Sequence, residues 1–342
     1  MSPATDESGA RHRVFRSDLF LIRDLPSSSS TAQDAETFRH VALFYGGEQS
    51  FVDATSAFLR DGIAAGEPAL VVVSAHKIDL LRAGLGDLAD RVCFADMAEV
   101  GQNPGAIISA WDDFVSDRFA EGQRVRGIGE PIYPERSDDE LAECEHHEAL
   151  LNLAFADARG FCLVCPYDVD ALPSAVVEHA RHTHPLVWKD GVEQPSPVYR
   201  GETLAASHLD GELDPPPADA YDVAFDQDSL AAVRAFLSEV ALDAGVGGVR
   251  RDDLLLAVNE LATNSVRHGG GQGTLRAWVD EEFLVCEVTD SGRIDEPLTG
   301  RVRPAAGALN GYGLWLVNQV CDLVQVRASD AGSVVRMRIR RR

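Results

Sequence analysis

The chain has 342 residues, 45% of them hydrophobic, so it can bury more than one core, and its length favours two domains. Its 55 acidic and 31 basic side chains give a net charge of −24, which repels nucleic acid and anionic membrane surfaces. It contains no apolar run of about 18 residues and no signal-peptide pattern, so we expect a cytoplasmic protein. The six scattered cysteines do not indicate a disulfide framework.

A polar segment comes first and is followed by alternating strand and helix patterns. Residues 1–36 mix charges with a run of serines and are predicted to form a flexible arm. Strands that alternate with helices are typical of a parallel sheet covered on both faces. We therefore predict a doubly wound, mostly parallel α/β domain over residues 37–188. Its predicted strands are 40–45, 68–74, 91–96, 124–130 and 161–167, with helices near 48–65, 76–84, 104–121 and 138–158.

In such a sheet, ligands gather beyond the carboxyl ends of the strands, near the point where the strand order reverses. No phosphate-binding Gly-x-x-x-x-Gly-Lys-Ser/Thr motif and no dinucleotide fingerprint follows any of these strands, so this is not an ordinary nucleoside-triphosphate site. Polar residues near the strand ends and on the helix after the fourth strand are instead candidates for a small-ligand pocket. They are His40, Tyr45, Glu130, His147, Asn152, Tyr167, Asp168 and His184.

Two short motifs in this half have spacings known from metal sites. Cys162 and Cys165 lack a second pair and lie in a sequence typical of a buried strand, so structural thiols are the favoured interpretation. The His146-His147-Glu148 run lacks the second histidine of the metalloprotease pattern, because position 151 holds leucine. His147 is also a candidate phosphoacceptor, but a polar group lining a pocket is the favoured interpretation.

This half resembles the MEDS (methanogen/methylotroph sensory) family of domains attached to bacterial regulators. The resemblance covers roughly residues 40–187 and is carried by HVALFYGGEQSF, GEPIYPER, ECEHHEALLNLAF, CPYD and the His-Pro pair at 184–185. It implies that the domain senses a small ligand, whose identity stays open.

A Pro-rich, polar stretch over residues 189–220 predicts an extended, semi-rigid linker between the two domains. From residue 221 onward a strand and a helix precede an amphipathic helix that starts near residue 254, and two hairpins follow. Helices on one face of a mixed, mostly antiparallel sheet are therefore predicted for the second domain, 221–342. The basic residues at the end of the chain are interpreted as outward positions of its last strand.

Three motifs in the second domain predict a nucleotide site. Glu260, Asn264 and His268 recur every four residues and so share one face of a helix. The sequence DSG at 290–292 follows a strand, and GYGL at 311–314 opens another helix. Motifs that fall in this order on strand, turn and helix are more specific than an isolated Gly-x-Gly.

Each motif supplies a group that ATP chemistry needs. Mg²⁺ prefers hard oxygen ligands, which makes the Asn264 amide the candidate metal ligand. Glu260, one turn earlier, is the candidate catalytic base. Glycines at the start of the last helix let the backbone approach the phosphates, and arginines in the lid at 293–309 are candidates to reach the terminal phosphate. The remaining candidate nucleotide-binding residues are His268, Asp290, Gly292, Arg301, Arg303, Gly311, Tyr312, Gly313 and Leu314.

The second half resembles the GHKL ATPases, and within them the anti-sigma-factor serine/threonine kinases of bacteria. The resemblance covers roughly residues 221–342 and rests on NELATNSVRHG, VTDSG and GYGLWLVNQVCD. It implies a Bergerat-type sandwich in which Asn264 holds Mg²⁺ against the phosphates, Glu260 polarises the attacking hydroxyl or water, and Asp290 hydrogen-bonds the adenine amino group. Ile294 stands where the family usually has a further glycine, which leaves the adenine edge of the site and retention of kinase activity open.

The two resemblances together predict a sensor joined to an ATP- and Mg²⁺-dependent kinase that phosphorylates an anti-anti-sigma (STAS) protein and sequesters a sigma factor. A histidine kinase with His147 as acceptor and a non-catalytic ATP-binding scaffold are the alternatives. The sensed ligand is expected to shift the kinase between states through the linker. Related kinases often pair through this domain, which makes the exposed edge near Tyr221 the candidate surface for a homodimer. No nucleic-acid or membrane partner is expected.

Overall fold

A seven-stranded sheet and a five-stranded sheet organise the chain. The computed structural model describes residues 37–341 apart from 121, 190, 306 and 309, so the arm predicted over residues 1–36 lies outside the described residues. No helix within the described part of the chain is long and apolar enough to cross a membrane.

The first sheet has the strand order β3-β2-β4-β5-β1-β6-β7, and all neighbouring strands except the last pair run parallel. Its strands are β1 (Arg39–Tyr45), β2 (Ala69–Val73), β3 (Cys93–Asp96), β4 (Val125–Gly129), β5 (Phe161–Asp168), β6 (Leu186–Lys189) and β7 (Val192–Pro195). Its helices are α1 (Gly47–Ala65), α2 (Ala75–Leu85), α3 (Met97–Val100), α4 (Ile107–Ala120), α5 (Asp138–Ala154), α6 (Ser174–Thr183) and α7 (Gly201–Ala206), with 3₁₀ turns at Gly86–Arg91 and Pro104–Ala106. The predicted doubly wound α/β fold is confirmed.

Helices cover both faces of this sheet, which is why its central strands are continuous apolar runs. Every residue of β2 is buried. One face packs against α4, α5 and α6 through side chains such as Trp111 and Leu150, and the other packs against α1 and α2 through Phe51 and Leu81. Helix α5 begins with a capping box in which Ser137 and Glu140 bond each other's backbone amides, which fixes its first turn.

The first half of the predicted linker is folded. Strands β6 and β7 form an antiparallel hairpin at the edge of the sheet, and α7 packs against α5. An edge strand tolerates proline because one side of it needs no hydrogen-bonded neighbour, so Pro195 does not exclude a strand there. The stretch without helix or strand between the two sheets is therefore shorter than predicted and spans residues 207–220.

The second sheet has the order β11-β12-β10-β9-β8 and is antiparallel at every pairing. Its strands are β8 (Tyr221–Asp226), β9 (Gln272–Val279), β10 (Phe283–Asp290), β11 (Leu323–Ser329) and β12 (Gly332–Arg340), and its helices are α8 (Leu230–Asp243), α9 (Gly248–His268) and α10 (Tyr312–Val320). The helices cover one face around a core that includes Leu237, Leu254 and Met337. This confirms the predicted α+β sandwich, although the sheet is wholly antiparallel.

Trp111 of α4 supports the first sheet at the positions where β4 carries glycine. It is 1% exposed, and a Cβ built on Gly127 or Gly129 would come within 3.0 or 2.9 Å of its ring. We expect Trp111→Ala to lower the free energy of unfolding by about 3–5 kcal/mol, because it removes a fully buried ring and leaves a cavity. Urea denaturation measures the loss. Trp188→Ala is the matched control and should cost less, because Trp188 is only half-buried on β6, next to the edge strand; equal losses would contradict this packing analysis.

Candidate functional site

Glu260 and Asn264 lie one turn apart on α9 and meet the start of α10 at Gly313. A Cβ built on Gly313 would lie 2.8 Å from Asn264 Nδ2 and 3.2 Å from Glu260 Oε2, so glycine is what allows this close approach. Both side chains are half-buried, and neither makes a hydrogen bond or ion pair with another described residue. An amide and a carboxylate are thus held together with their polar atoms available to a ligand.

The N-terminus of α10 lies beside these two side chains. Its N-cap, Gly311, has φ of 97°, in the left-handed region that favours glycine, and supplies no side-chain cap. The first amides of the helix are therefore uncapped by a side chain, and the positive end of the helix dipole favours an anion there. The predicted phosphate-binding glycines and the predicted magnesium ligand are thus neighbours.

Two residues of the GYGL motif contact the chain that precedes α10. The Tyr312 hydroxyl donates hydrogen bonds to the carbonyl oxygens of Pro304 and Ala305, at 3.2 and 3.1 Å. Leu314 is buried, and a Cβ on Gly300 would come within 2.6 Å of it. Both side chains therefore hold the predicted lid segment in this structure.

Asp290 ends β10 and faces the last turn of α9. Its Oδ2 accepts a hydrogen bond from Ser265 Oγ at 2.5 Å, and its Oδ1 accepts from the Gly292 amide at 2.7 Å and from Ser333 Oγ at 3.0 Å. An ionised carboxylate has about four lone-pair positions, so these three bonds orient Asp290 and leave room for one further donor. The side chain of His268, on the same turn of α9, is exposed.

The side chain of Ile294 is half-buried against the core of the second domain.

The predicted lid is packed against the first domain. Leu298 and Val302 contact the core of that domain. Arg301 is 3% exposed and donates from Nη2 to Glu143 Oε2 at 3.0 Å, while Arg327 of β11 donates to Glu143 Oε1, also at 3.0 Å. Arg301, a candidate for the terminal phosphate, is therefore bound by α5 of the first domain in this structure.

Glu143 is fully buried, yet its surroundings favour the ionised form. Burial raises the pKa of this carboxyl, but the neighbouring His146 and the charges of Arg301 and Arg327 outweigh burial and lower the pKa to about 2. The charged pair therefore persists across the physiological pH range.

Helix α10 contacts the same domain through polar side chains. Trp315 Nε1 donates to Ser109 Oγ at 3.0 Å, and Asn103 Nδ2 donates to the backbone oxygen of Asn318 at 2.9 Å. Arg303, the second lid arginine, lies over the Trp315 ring with its Nη1 3.5 Å from Asp113 Oδ1. The helix that would bind the phosphates is thus fixed to the predicted sensor.

The predicted sensor pocket divides into two clusters on opposite faces of the first sheet. On the α5 face, His40 Nε2 lies 3.1 Å from Glu148 Oε2, and His184 Nε2 lies 3.3 Å from the same atom. His40 Nδ1 lies 3.1 Å from Asn152 Oδ1, and the buried Tyr167 ring meets the His184 ring edge-on. Burial and the neighbouring His184 lower the pKa of His40 to about 4, so this imidazole is neutral at physiological pH.

The other cluster lies on the opposite face, at the carboxyl ends of β1 and β4. Tyr45 donates to Glu130 Oε1 at 2.8 Å, and Lys77 Nζ donates to the two Glu130 oxygens at 2.6 and 2.8 Å. Burial raises the pKa of Glu130, although the Lys77 charge opposes the shift. Asp168 also ends a neighbouring strand, β5, and its charge adds to the upward shift.

Sequence reasoning did not select Lys77 or Glu148 as pocket residues. Lys77 lies in the first turn of α2, just beyond the buried strand β2. That position at a strand end was the only feature of the sequence that could have indicated a pocket residue. His147 was selected, and it is 1% exposed, so a phosphate donor cannot reach its ring in this structure. That position disfavours the phosphoacceptor interpretation.

The two domains match two different family models. Residues 39–185 match the family model described as MEDS, the methanogen/methylotroph, DcmR sensory domain. Residues 223–339 match the one described as histidine kinase-like ATPase domain. The chain therefore carries a MEDS domain followed by a histidine kinase-like ATPase domain, as the two sequence resemblances predict.

Comparison with solved structures and curated proteins adds little to this assignment. The RsbU and RsbW domains of Rv1364c from Mycobacterium tuberculosis are similar at 17% identity and a TM-score of 0.27, over 37% of this chain and 34% of that one. The match thus spans about a third of the length of that solved chain. No curated protein matches the sequence.

Removing the Glu143 carboxylate should release the lid. Glu143→Ala leaves two arginines unpaired in a buried interface, and breaking a buried ion pair in this way costs about 3–5 kcal/mol. We expect trypsin to cleave the lid after Arg301 at least about tenfold faster than in the unmodified protein, as followed by mass spectrometry; the bond after Arg303 resists trypsin because Pro304 follows it. Glu145→Ala is the matched control, since Glu145 lies on the same helix but faces His179. An unchanged cleavage rate would contradict the docking described above.

Lys77→Met should destabilise the protein more at pH 8 than at pH 5. Burial already raises the pKa of Glu130, and loss of the lysine charge raises it further, so ionising this carboxyl opposes folding as the pH rises. Thermal unfolding at the two pH values measures the difference. Lys77→Arg keeps the charge and should show a smaller pH dependence. A loss of stability that is independent of pH would contradict the role given to Lys77.

Proposed function

We propose that the histidine kinase-like ATPase domain binds ATP with Mg²⁺ and transfers its terminal phosphoryl group to a serine or threonine of a protein. The observation that carries the proposal is the meeting of Glu260 and Asn264 at Gly313, beside the N-terminus of α10. The amide oxygen of Asn264 would hold Mg²⁺, which supplies charge neutralisation at the phosphates when bound. The fit is supported by the two side chains having no other polar partner among the described residues.

The remaining steps fall to groups of the chain itself. The uncapped amides of α10 would bind phosphate oxygens, and the glycines at 311 and 313 leave the backbone open to them. Glu260 would orient the incoming hydroxyl and accept its proton. Asp290, whose carboxylate is oriented by Ser265, Ser333 and the Gly292 amide, has one acceptor position left for the adenine amino group.

The substrate and the partner follow from the resemblance of the second domain to anti-sigma-factor kinases. We assign a STAS-type anti-anti-sigma protein as the phosphorylated substrate and a sigma factor as the protein that the domain sequesters. The histidine-kinase alternative loses support because His147 is buried. The scaffold alternative keeps ATP binding but lacks transfer, so it predicts that Glu260 is dispensable.

The lid offers a route by which the sensory domain would control the kinase. Arg301 cannot bind a phosphate while Glu143 holds it, so a change in the position of α5 would alter the supply of positive charge at the nucleotide. A ligand controls this equilibrium only if it binds the two arrangements with different affinity. Control through direct contact between α5 and the lid is therefore a shorter route than the linker.

Variants of the two α9 residues test the proposal. Asn264→Asp should weaken Mg²⁺–ATP binding at least about tenfold, because it alters the metal ligand and adds negative charge beside the phosphates. Glu260→Ala should retain ATP binding but lower transfer about 10²- to 10⁴-fold, the usual contribution of a general base. Calorimetry measures binding, and acid-stable phosphate on a STAS protein from the same cells measures transfer.

Asn259→Ala is the matched control, because Asn259 lies on α9 next to Glu260 but on a different face. It should leave both binding and transfer unchanged. Absence of heat on titration with Mg²⁺–ATP would overturn the nucleotide site, and undiminished transfer by Glu260→Ala would overturn the catalytic role. Acid-labile phosphate would favour a histidine kinase instead.

A further inference from the structure

Four side chains of the sensory domain point at one another beneath the first sheet. They come from four different elements, with His40 on β1, Glu148 on α5, Cys165 on β5 and His184 at the C-cap of α6. Each is at most 1% exposed, and one nitrogen, oxygen or sulfur atom from each lies within 4.8 Å of the others. We propose that this tetrad binds a divalent transition-metal ion of the zinc class. The inference stands independently of the proposed kinase activity.

The spacing of the four atoms suits tetrahedral coordination. Bonds of about 2.0–2.3 Å from Zn²⁺ to nitrogen, oxygen and sulfur place tetrahedral ligand atoms about 3.3–3.7 Å apart. Glu148 Oε2 lies 3.1 Å from His40 Nε2 and 3.3 Å from His184 Nε2, and Cys165 Sγ lies 3.4 Å from His40 Nε2. The remaining pairs lie within 4.8 Å of one another, so side-chain movements would bring all four atoms to an ion between them.

The outer hydrogen bonds of both histidines leave the inner nitrogens free to coordinate. Asn152 Nδ2 donates to the carbonyl oxygens of Glu148, Ala149 and Thr183, so its Oδ1 is the acceptor that faces His40 Nδ1 at 3.1 Å. His40 therefore carries its proton on Nδ1. His184 Nδ1 lies 2.8 Å from the carbonyl oxygen of Ala180, which can only accept, so it also carries the proton. Metal-binding histidines are oriented by outer hydrogen bonds of this kind.

The inward-facing atoms of the four side chains lie together in a site closed to water. Within the described part of the chain, neither His184 Nε2 nor Glu148 Oε1 has a hydrogen-bond partner. Buried polar atoms are rarely left without a partner, because desolvation then goes uncompensated. A bound cation would satisfy these atoms together.

The types of ligand identify the class of ion. Imidazole and thiolate favour Zn²⁺ and similar transition metals, whereas Mg²⁺ and Ca²⁺ prefer sites built from oxygen. Binding releases the proton of the Cys165 thiol to solvent as the thiolate coordinates, and no oxidation or reduction is involved. Four protein ligands leave no open position for a substrate, so the ion would be sensed or structural and not catalytic.

Titration of the full-length, chelator-treated protein with Co²⁺ and Zn²⁺ tests the proposal. We expect one Co²⁺ per chain, with the visible absorption of tetrahedral cobalt and a near-ultraviolet thiolate-to-cobalt band. Cys165→Ser should abolish the thiolate band, and Glu148→Gln should weaken binding at least about tenfold. Zn²⁺ should displace Co²⁺ and raise the melting temperature of the unmodified protein but not of Cys165→Ser.

Cys162→Ser is the matched control, because Cys162 lies on the same strand but packs on the opposite face of the sheet. It should keep both the stoichiometry and the thiolate band. Failure of the unmodified protein to bind either ion, or a thiolate band that survives in Cys165→Ser, would overturn the proposal. If Cys165→Ser does not fold, the near-isosteric Glu148→Gln decides, and undiminished affinity in that variant also rejects the site.

Discussion

The arrangement of the two domains depends on one carboxylate, Glu143, closed off from water between two arginines. Taking charges out of water costs several kcal/mol per ion, and this is offset only when each ion meets its partner in good geometry. Arg301 and Arg327 approach different oxygens of Glu143 at the same distance of 3.0 Å, which meets that condition. A misplaced domain would leave buried charges unpaired, so the contact specifies the orientation of the domains more than it adds stability.

Charge complementarity extends across the rest of this interface. The chain is strongly acidic as a whole, but the face that the ATPase domain turns toward the sensory domain carries arginines. Arg338 pairs with Asp139 and Arg303 with Asp113, so positive side chains of one domain meet negative ones of the other. Such complementarity favours one partner surface and one register over others. The apolar lid residues Leu298 and Val302 add buried surface to this charge-complementary interface.

Much of the fold could be predicted because its signals are local. Buried parallel strands leave apolar runs, hairpins leave alternating ones, and a helix face recurs every four residues, which is how Glu260 and Asn264 were paired. The hairpin of β6 and β7 was missed because prolines and a short length hide its pattern. The role of Arg301 could not be predicted either, since its partner lies 158 positions away in another domain.

The buried tetrad shows the same limit more sharply. Two of its members, Cys165 and Glu148, lie in sequence motifs that looked like incomplete metal sites. The cysteine motif lacked a second cysteine pair, and the motif with Glu148 lacked a second histidine. The missing ligands, His40 and His184, come from other elements. The parallel pairing of β1 with β5 places His40 beside Cys165, and the end of α6 places His184 there. Parallel sheets bring together residues far apart in the chain, so no spacing rule could reveal the set.

Helix α5 has a consequence for how the protein can be divided. Its first turns present Asp139 and Glu143 to the ATPase domain, while its last turns present Glu148 and Asn152 to the sensory core. An ATPase domain expressed alone would expose unpaired guanidinium groups beside bare leucine, valine and tryptophan side chains. That surface would attract acidic proteins indiscriminately. Proteins recovered with the truncated domain would therefore include ones that only replace α5, besides any physiological target.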